Sequence, residues 1–245
     1  MSLCVVMPAW NECEGIGGFL EELNAALLDR NPTFIVIDDC STDSTREVIE
    51  VAGRSGIRVL VETNEQNSGH GPSTMRALTL GLESGADVVM ALDGDGQFRG
   101  ADLAHVVDVL ESGGFDVVEG VRTSRKDPAY RKVVTTGTRL MVWARTRHMP
   151  ADANTPLRAY RPETLARLLH EVPAHSLTPN LMISVLCRTW EVNLSEVPVV
   201  SLPRRGASAI GSTWGKGSLI PSKRFVSFCR AAVTEWRQRP KVDVS

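Results

Sequence analysis

The sequence predicts a single α/β domain, with a mostly parallel central sheet flanked by helices. Three observations lead there. Short β-branched apolar runs alternate with stretches of helical spacing, which is the pattern of βαβ units. Each apolar run ends in a polar cluster, as strands do where an open α/β sheet presents its ligand crevice. The chain has 245 residues, 42% hydrophobic and 23% charged, with a formal net charge of -2. That is the composition of a globular protein, with no low-complexity tract, heptad run or repeat.

The elements follow in order. Residues 3–7 (LCVVM) form a strand stopped by Pro8, and Ile16, Leu20, Leu23 and Leu27 give residues 15–29 a helical face. Residues 33–37 (TFIVI) are a second buried strand ending at Asp38-Asp39. Several hydroxyl and Asp residues between Ser41 and Thr45 then offer caps for a helix through about Val51. Residues 58–62 are a third strand. A Gly/Asn/Ser-rich loop, Asn64 to Pro72, leads to a helix from about Ser73 to Leu82, and residues 87–92 (DVVMAL) are a fourth strand ahead of Asp93-Gly94-Asp95-Gly96-Gln97.

After Asp116-Val117-Val118 the character changes, and residues 122–147 hold eight basic residues and one acid. Residues 133–144 read as helix, 162–170 as a helix opened by Pro at its first position, Leu181 to Leu186 as an apolar segment and Glu191 to Val200 as strand-like. The expected division is a domain over residues 1–210 and a basic C-terminal segment over 211–245. In the latter Ile220, Phe225, Phe228 and Trp236 stand among Lys223, Arg224, Arg230 and Arg237. Such a segment suits either an amphipathic helix at a membrane interface or a helix that closes the soluble domain.

Composition also excludes. No run approaches the ~18 consecutive apolar residues of a membrane span, and the first ten residues carry no leader pattern, so a cytoplasmic location, peripheral at the membrane face, is expected. The five cysteines are an odd set without C-x-x-C spacing, against a disulfide framework or structural zinc. The small net charge hides a division: residues 1–121 have 6 basic and 21 acidic residues, and residues 122–245 have 21 basic and 8 acidic. An acidic half suits metal-binding carboxylates and a basic half suits phosphates or an anionic surface. Nucleic acid is not an expected partner.

Three clusters fall at strand ends: Pro8 to Glu12, Asp38 to Asp43, and Asp93 to Gln97. Together they predict one site assembled from three loops. The Asp93-x-Asp95 pair places two carboxylates on one side of a turn, with Gln97 adding a neutral oxygen, an arrangement for Mg²⁺ or Mn²⁺ completed by a nucleotide diphosphate. Asp39 suits ribose or base hydrogen bonds. Trp10 offers a flat face to a nucleoside and Glu12 a carboxylate. The first βα turn lacks G-x-G-x-x-G, which argues against a dinucleotide.

On the segments VVMPAWNECEGI (5–16), FIVIDDCSTDST (34–45), NSGHGPSTMRALTLGLESGADVVMALDGDGQF (67–98), GVRTS (120–124), DANTPLRAYR (152–161), and EVPV followed by RRGAS (196–208), the chain resembles glycosyltransferase family 2 with a GT-A fold. Within it the likeness is to the polyprenol-phosphate mannosyltransferase-like branch. The resemblance implies that Pro8, Trp10, Glu12, Ile37 and Asp39 hold the nucleoside of a sugar nucleotide. It implies that Asp93, Gly94 and Asp95 contact the sugar diphosphate, with Asp95, Gln97 and Asp93 at the metal. Arg122, Arg131 and Thr135 match residues that hold an acceptor phosphate, and Arg204 matches an arginine that closes over the diphosphate. Asp93, Arg122 and Arg204 are accordingly the expected catalytic groups.

Two departures stand out. His70 and Ala209 occupy positions where the family has lysine, so one phosphate contact is missing or is supplied by Arg205 or Lys216. Relatives that glycosylate alcohols use a carboxylate base about where this chain reads Leu177-Thr178-Pro179-Asn180, and no acid occurs between Glu171 and Glu191. A hydroxyl needs a base, whereas a phosphate acceptor is already anionic. The missing acid and the cluster Arg122, Arg125, Lys126, Arg131 and Lys132 therefore point to a polyprenyl phosphate acceptor. The expected reaction is metal-dependent, inverting transfer of a mannose- or glucose-type sugar, with GDP-mannose first and UDP-sugars second as donor. Two alternatives stay open. One is transfer to a small soluble acceptor, such as a nucleoside or natural-product intermediate, with Asp152 as base; the other is a non-catalytic sugar-nucleotide-binding subunit.

Overall fold

The computed structural model describes residues 1–123, 129–206 and 223–238. A seven-stranded sheet runs through the molecule, comprising β1 (Leu3–Ala9), β2 (Thr33–Asp38), β3 (Val59–Thr63), β4 (Val88–Ala91), β5 (Val117–Thr123), β6 (Arg158–Tyr160) and β7 (Leu194–Val200). Their order is β3-β2-β1-β4-β6-β5-β7. All neighbours pair in parallel except β6, which is antiparallel to both β4 and β5. The expected fold class therefore holds, and the reversed strand sets the two groups of parallel strands side by side.

Period-two alternation sends successive strand residues to opposite faces of the sheet. Val5, Met7, Phe34 and Val36 enter one core with α1 (Ile16–Ala26), α2 (Thr45–Arg54) and α4 (Gly100–Ser112). Cys4, Val6, Ile35 and Ile37 enter the other with α3 (His70–Glu83), α6 (Pro162–Glu171) and α7 (Pro179–Thr189). Val142 of α5 (Ala129–Thr146) and Ala232 of α8 (Lys223–Gln238) join this second core. Because both faces are covered, β1 is buried at every position, which explains its unbroken apolar run.

Several boundaries differ from the sequence expectation. α3 begins at His70 rather than about Ser73, because Gly69, with φ of 90°, turns the chain and Pro72 sits in the first turn, where no backbone N–H is missed. The apolar segment around Leu181–Leu186 is the helix α7, opened by Pro179. α4 has no counterpart among the predicted elements, although Leu103, Val106, Val107 and Leu110 give it an i, i+3, i+4, i+7 face. β6 was not predicted either. At the C-terminal end α8 lies against the body of the molecule: Glu235 accepts hydrogen bonds from Ser176 Oγ, Leu177 N and Thr178 Oγ1, each at 2.7 Å.

Candidate functional site

The carboxyl ends of β1, β2 and β4 lie side by side, so the three polar clusters meet. Gly94 N donates to Pro8 O at 3.2 Å, which draws the loop after β4 over the end of β1. A Cβ on Gly94 would lie 2.9 Å from that same carbonyl, so only glycine permits the approach. Asn11, with φ of 54°, turns the chain after β1, and its side-chain oxygen accepts from Thr42 N at 2.9 Å while its own N–H donates to Ser41 Oγ.

Asp39 is buried, and both of its carboxylate oxygens accept hydrogen bonds. Its carboxylate accepts from Asn64 Nδ2 at 2.7 Å, Ser68 N at 2.8 Å and Gly69 N at 2.9 Å. It thereby organises the 64–69 loop and fixes the start of α3. Ile37 pairs in register with Pro8 and is fully buried in the second core. Trp10 is partly exposed on the turn after β1.

The Asp93–Gln97 loop is held from above by residues 202–206, which cross it as a strap. Leu202 N donates to Gln97 O at 2.9 Å, Gln97 Nε2 returns a bond to Leu202 O at 3.1 Å, and Arg205 N donates to Asp95 O at 3.0 Å. Arg205 then turns its guanidinium into a prepared slot. It pairs with Glu22 of α1, donates from Nε to Gly96 O at 3.3 Å and lies 5.1 Å from the centre of the Phe19 ring. A Cβ on Gly15 would lie 2.7 Å from Arg205 Cβ, and one on Gly96 2.5 Å from its Cδ. Two glycines thus clear this space. Arg205 was expected at most as a substitute phosphate contact, and Glu22 and Phe19 were not anticipated; neither glycine's role is visible without the three-dimensional approach.

Arg204 pairs through two nitrogens with Glu12, Nε lying 3.1 Å from Oε2. Burial pushes the Glu12 carboxyl up to about 7, against the lowering effect of Arg204 and with the help of the Asp95 and Asp93 charges. Asp95 is likewise pushed up to about 6, by burial first and by Asp93 second. Glu12, Asp93, Asp95 and Arg204 are therefore one electrostatic unit. His70, at the start of α3, adds Nε2 at 3.4 Å from Asp93 Oδ1. That oxygen is buried and finds no hydrogen-bond donor.

The remaining predicted residues lie further along the sheet. Arg122, at the end of β5, is clamped by Asp152, with Nε–Oδ2 at 2.7 Å and Nη2–Oδ1 at 3.1 Å, and reaches Asn154 O at 3.1 Å. The pairing commits Asp152 to a cation. Thr135 is partly exposed on α5. Arg131 and Lys132 belong to the first turn of α5, their side chains lying outside the described residues, as do Arg125, Lys126, Ala209, Lys216 and Ile220.

The acidic pair fits a divalent cation. An orphaned buried Asp93 oxygen and a repelled, half-covered Asp95 are what a cation would relieve. Among the described residues no group of three or more His, Cys, Asp or Glu side chains is placed to hold a metal ion, so the pair would supply only part of a cation's shell.

The model of glycosyl transferase family 2 matches residues 4–172. Undecaprenyl-phosphate 4-deoxy-4-formamido-L-arabinose transferases from Yersinia pestis (strain Pestoides F) and Yersinia enterocolitica serotype O:8 are similar at 27% and 28% identity over 193 residues, 78% of this chain. The chain spans 58% of the length of these relatives. Among solved structures, mannosyl-3-phosphoglycerate synthase from Rubrobacter xylanophilus superposes with a TM-score of 0.69 at 19% identity, covering 100% of this chain and 77% of that one. Glucosyl-3-phosphoglycerate synthase from Mycobacterium tuberculosis, in complex with Mn²⁺ and UDP-glucose, gives a TM-score of 0.58 at 20% identity over 84% of this chain and 72% of its own. These structures share the GT-A fold with this chain.

Proposed function

From the membership of this chain in glycosyl transferase family 2, we propose that it is an enzyme moving a sugar from a nucleotide-diphosphate sugar to a polyprenyl phosphate, with a divalent cation at the acidic pair. The observation that carries the reading is the convergence of Asp93, Asp95, Glu12 and Arg204 at the ends of β1 and β4, beneath a strap pinned by Arg205. Two carboxylates beside an arginine are suited to opposite ends of one ion–diphosphate unit. The Yersinia relatives, named for transfer to undecaprenyl phosphate, support the acceptor class.

In this reading Asp93 and Asp95 would hold Mg²⁺ or Mn²⁺, which when bound would supply positive charge to the diphosphate. Arg204 exchanges its Glu12 partner for the diphosphate, and Trp10, Glu12 and Asp39 line the nucleoside end with Pro8 and Ile37 behind them. Gly94 keeps the loop low enough for the diphosphate to approach. Arg122, held rigid by Asp152, positions the acceptor phosphate together with Arg131 and Thr135. A phosphate oxygen attacks the anomeric carbon in line. The carbon–oxygen bond to the diphosphate breaks with its electron pair leaving on the nucleotide, and configuration inverts. No general base is needed, because the nucleophile carries its charge from the start.

Incubation of the enzyme with labelled GDP-mannose or UDP-sugars, undecaprenyl phosphate and Mn²⁺ tests the proposal. Label is expected in the lipid phase with one donor, lost on adding EDTA. Transfer to a soluble hydroxyl compound with none to lipid phosphate would overturn the acceptor assignment; metal-dependent donor binding without transfer would favour a non-catalytic subunit.

A further inference from the structure

α5 and α8 together present an outward face that the site chemistry leaves unused. Leu140 and Trp143 of α5 are 48% and 42% exposed, one helical turn apart, and Val233 of α8 is exposed as well. The two helices are joined here: Trp236 Nε1 donates to Met141 O at 3.1 Å, and Arg145 Nη1 donates to Trp236 O at 2.6 Å. Leu177, 47% exposed, extends the face, since its N–H is bound by Glu235 of α8.

Both helices are basic in composition. The α5 sequence carries four basic residues and no acid, and α8 carries four basic residues and a single acid, Glu235. Glu235 is spent inward on the 176–178 segment. Arg147, Arg230 and Arg237 are exposed, Arg147 lying 5.3 Å from the centre of the Trp143 ring. Exposed aliphatic and indole groups ringed by arginine match the headgroup boundary of an anionic bilayer, where apolar groups insert and cations meet phosphates. A second copy of the chain would instead bring like charges together.

The face also adjoins the site. A Cβ on Gly71 would lie 2.8 Å from Leu177 Cα, so the first turn of α3 touches Leu177, and the preceding residue, His70, faces Asp93. We propose that the α5–α8 face with Leu177 is a peripheral docking surface for an anionic lipid bilayer, which brings the site within reach of a phosphate at the membrane boundary. Among the described residues no helix is long and apolar enough to cross a membrane, so contact at this face is interfacial. The inference rests on the lipid-phosphate reading for its purpose, and its test does not require that reading.

Flotation with vesicles free of polyprenyl phosphate supplies the test. The protein is expected to bind vesicles containing about one-third phosphatidylglycerol at least about tenfold better than pure phosphatidylcholine, with binding lost in high salt. The double variant Leu140→Ser/Trp143→Ser, and separately Arg147→Gln/Arg230→Gln, should each reduce binding severalfold. An unchanged melting temperature establishes that these variants are folded. Equal binding to neutral and anionic vesicles, or variants that bind as the parent does, would overturn the proposal. So would light scattering that shows a dimer dissociated by the same substitutions. Vesicle binding with no lipid-phosphate turnover would leave docking standing and remove the acceptor assignment instead.

Discussion

At the scale of single residues, the acidic site works against stability in the absence of its ligands. Asp95 ionises at about 6 in the folded protein, above its ordinary 3.8. The native state therefore holds a proton that the unfolded chain has released, and stability falls as pH climbs from about 4 through about 6. Asp95→Asn removes the share of that slope due to Asp95, while the Glu12 carboxyl, pushed up to about 7, keeps its own. In EDTA, differential scanning fluorimetry should show the variant melting above the parent at pH 7.5, with the margin narrowing at pH 4.5, while donor-induced stabilisation by Mn²⁺ disappears. A variant that melts lower than the parent at both pH values would contradict the repulsion. Arg205 acts differently: its backbone N–H holds Asp95 O, and its side chain holds Gly96 O and Glu22 beneath the strap. Arg205→Ala should lower kcat/KM by about 10- to 100-fold with little change in melting temperature, and Glu22→Gln by less, because displacing the loop by about 1 Å misplaces the reacting groups. Unchanged kinetics in both would show that the strap is dispensable.

At the scale of elements, what the sequence disclosed follows from periodicity and what it hid follows from brevity or distance. The runs LCVVM, TFIVI and DVVMAL were legible because strands covered on both faces read as continuous apolar stretches. β6 was not, since three residues carry no period. α4 carries a readable apolar face at Leu103, Val106, Val107 and Leu110. Of the site, the strand-end clusters were visible in one dimension, and the strap's grip was not: Gln97 and Leu202 are bonded at a separation of 105 residues, and Arg205 and Glu22 at 183. The seam between α3 and the 176–178 segment is another such contact. Gly71→Ala should cost about 2 kcal/mol in urea denaturation, because the new methyl meets backbone rather than a side chain that could move aside. A cost near zero would mean that the seam opens freely.

At the scale of the whole molecule, the two parts of the sheet are tied by a buried charge network. Glu119 of β5 and Arg158 of β6 are both fully buried, 3.0 Å apart, and Arg188 of α7 reaches Glu119 at 2.8 Å and Glu196 of β7 at 2.7 Å. Removing the Glu119 carboxylate leaves Arg158 without a counter-charge in the interior, while Arg188 keeps Glu196, so Glu119→Gln should destabilise the protein by about 3–5 kcal/mol, read as a lower urea midpoint. A smaller loss would show that water reaches the network. The reversed strand at this junction also sets a timetable. β4 ends at Ala91, and its neighbour on the open side begins at Arg158. At a translation rate of about 5–20 residues per second, the nascent protein spends roughly 3 to 13 s with an apolar strand edge bare. The hazard in making this enzyme lies in that interval, before the lone antiparallel strand leaves the ribosome and shuts the edge.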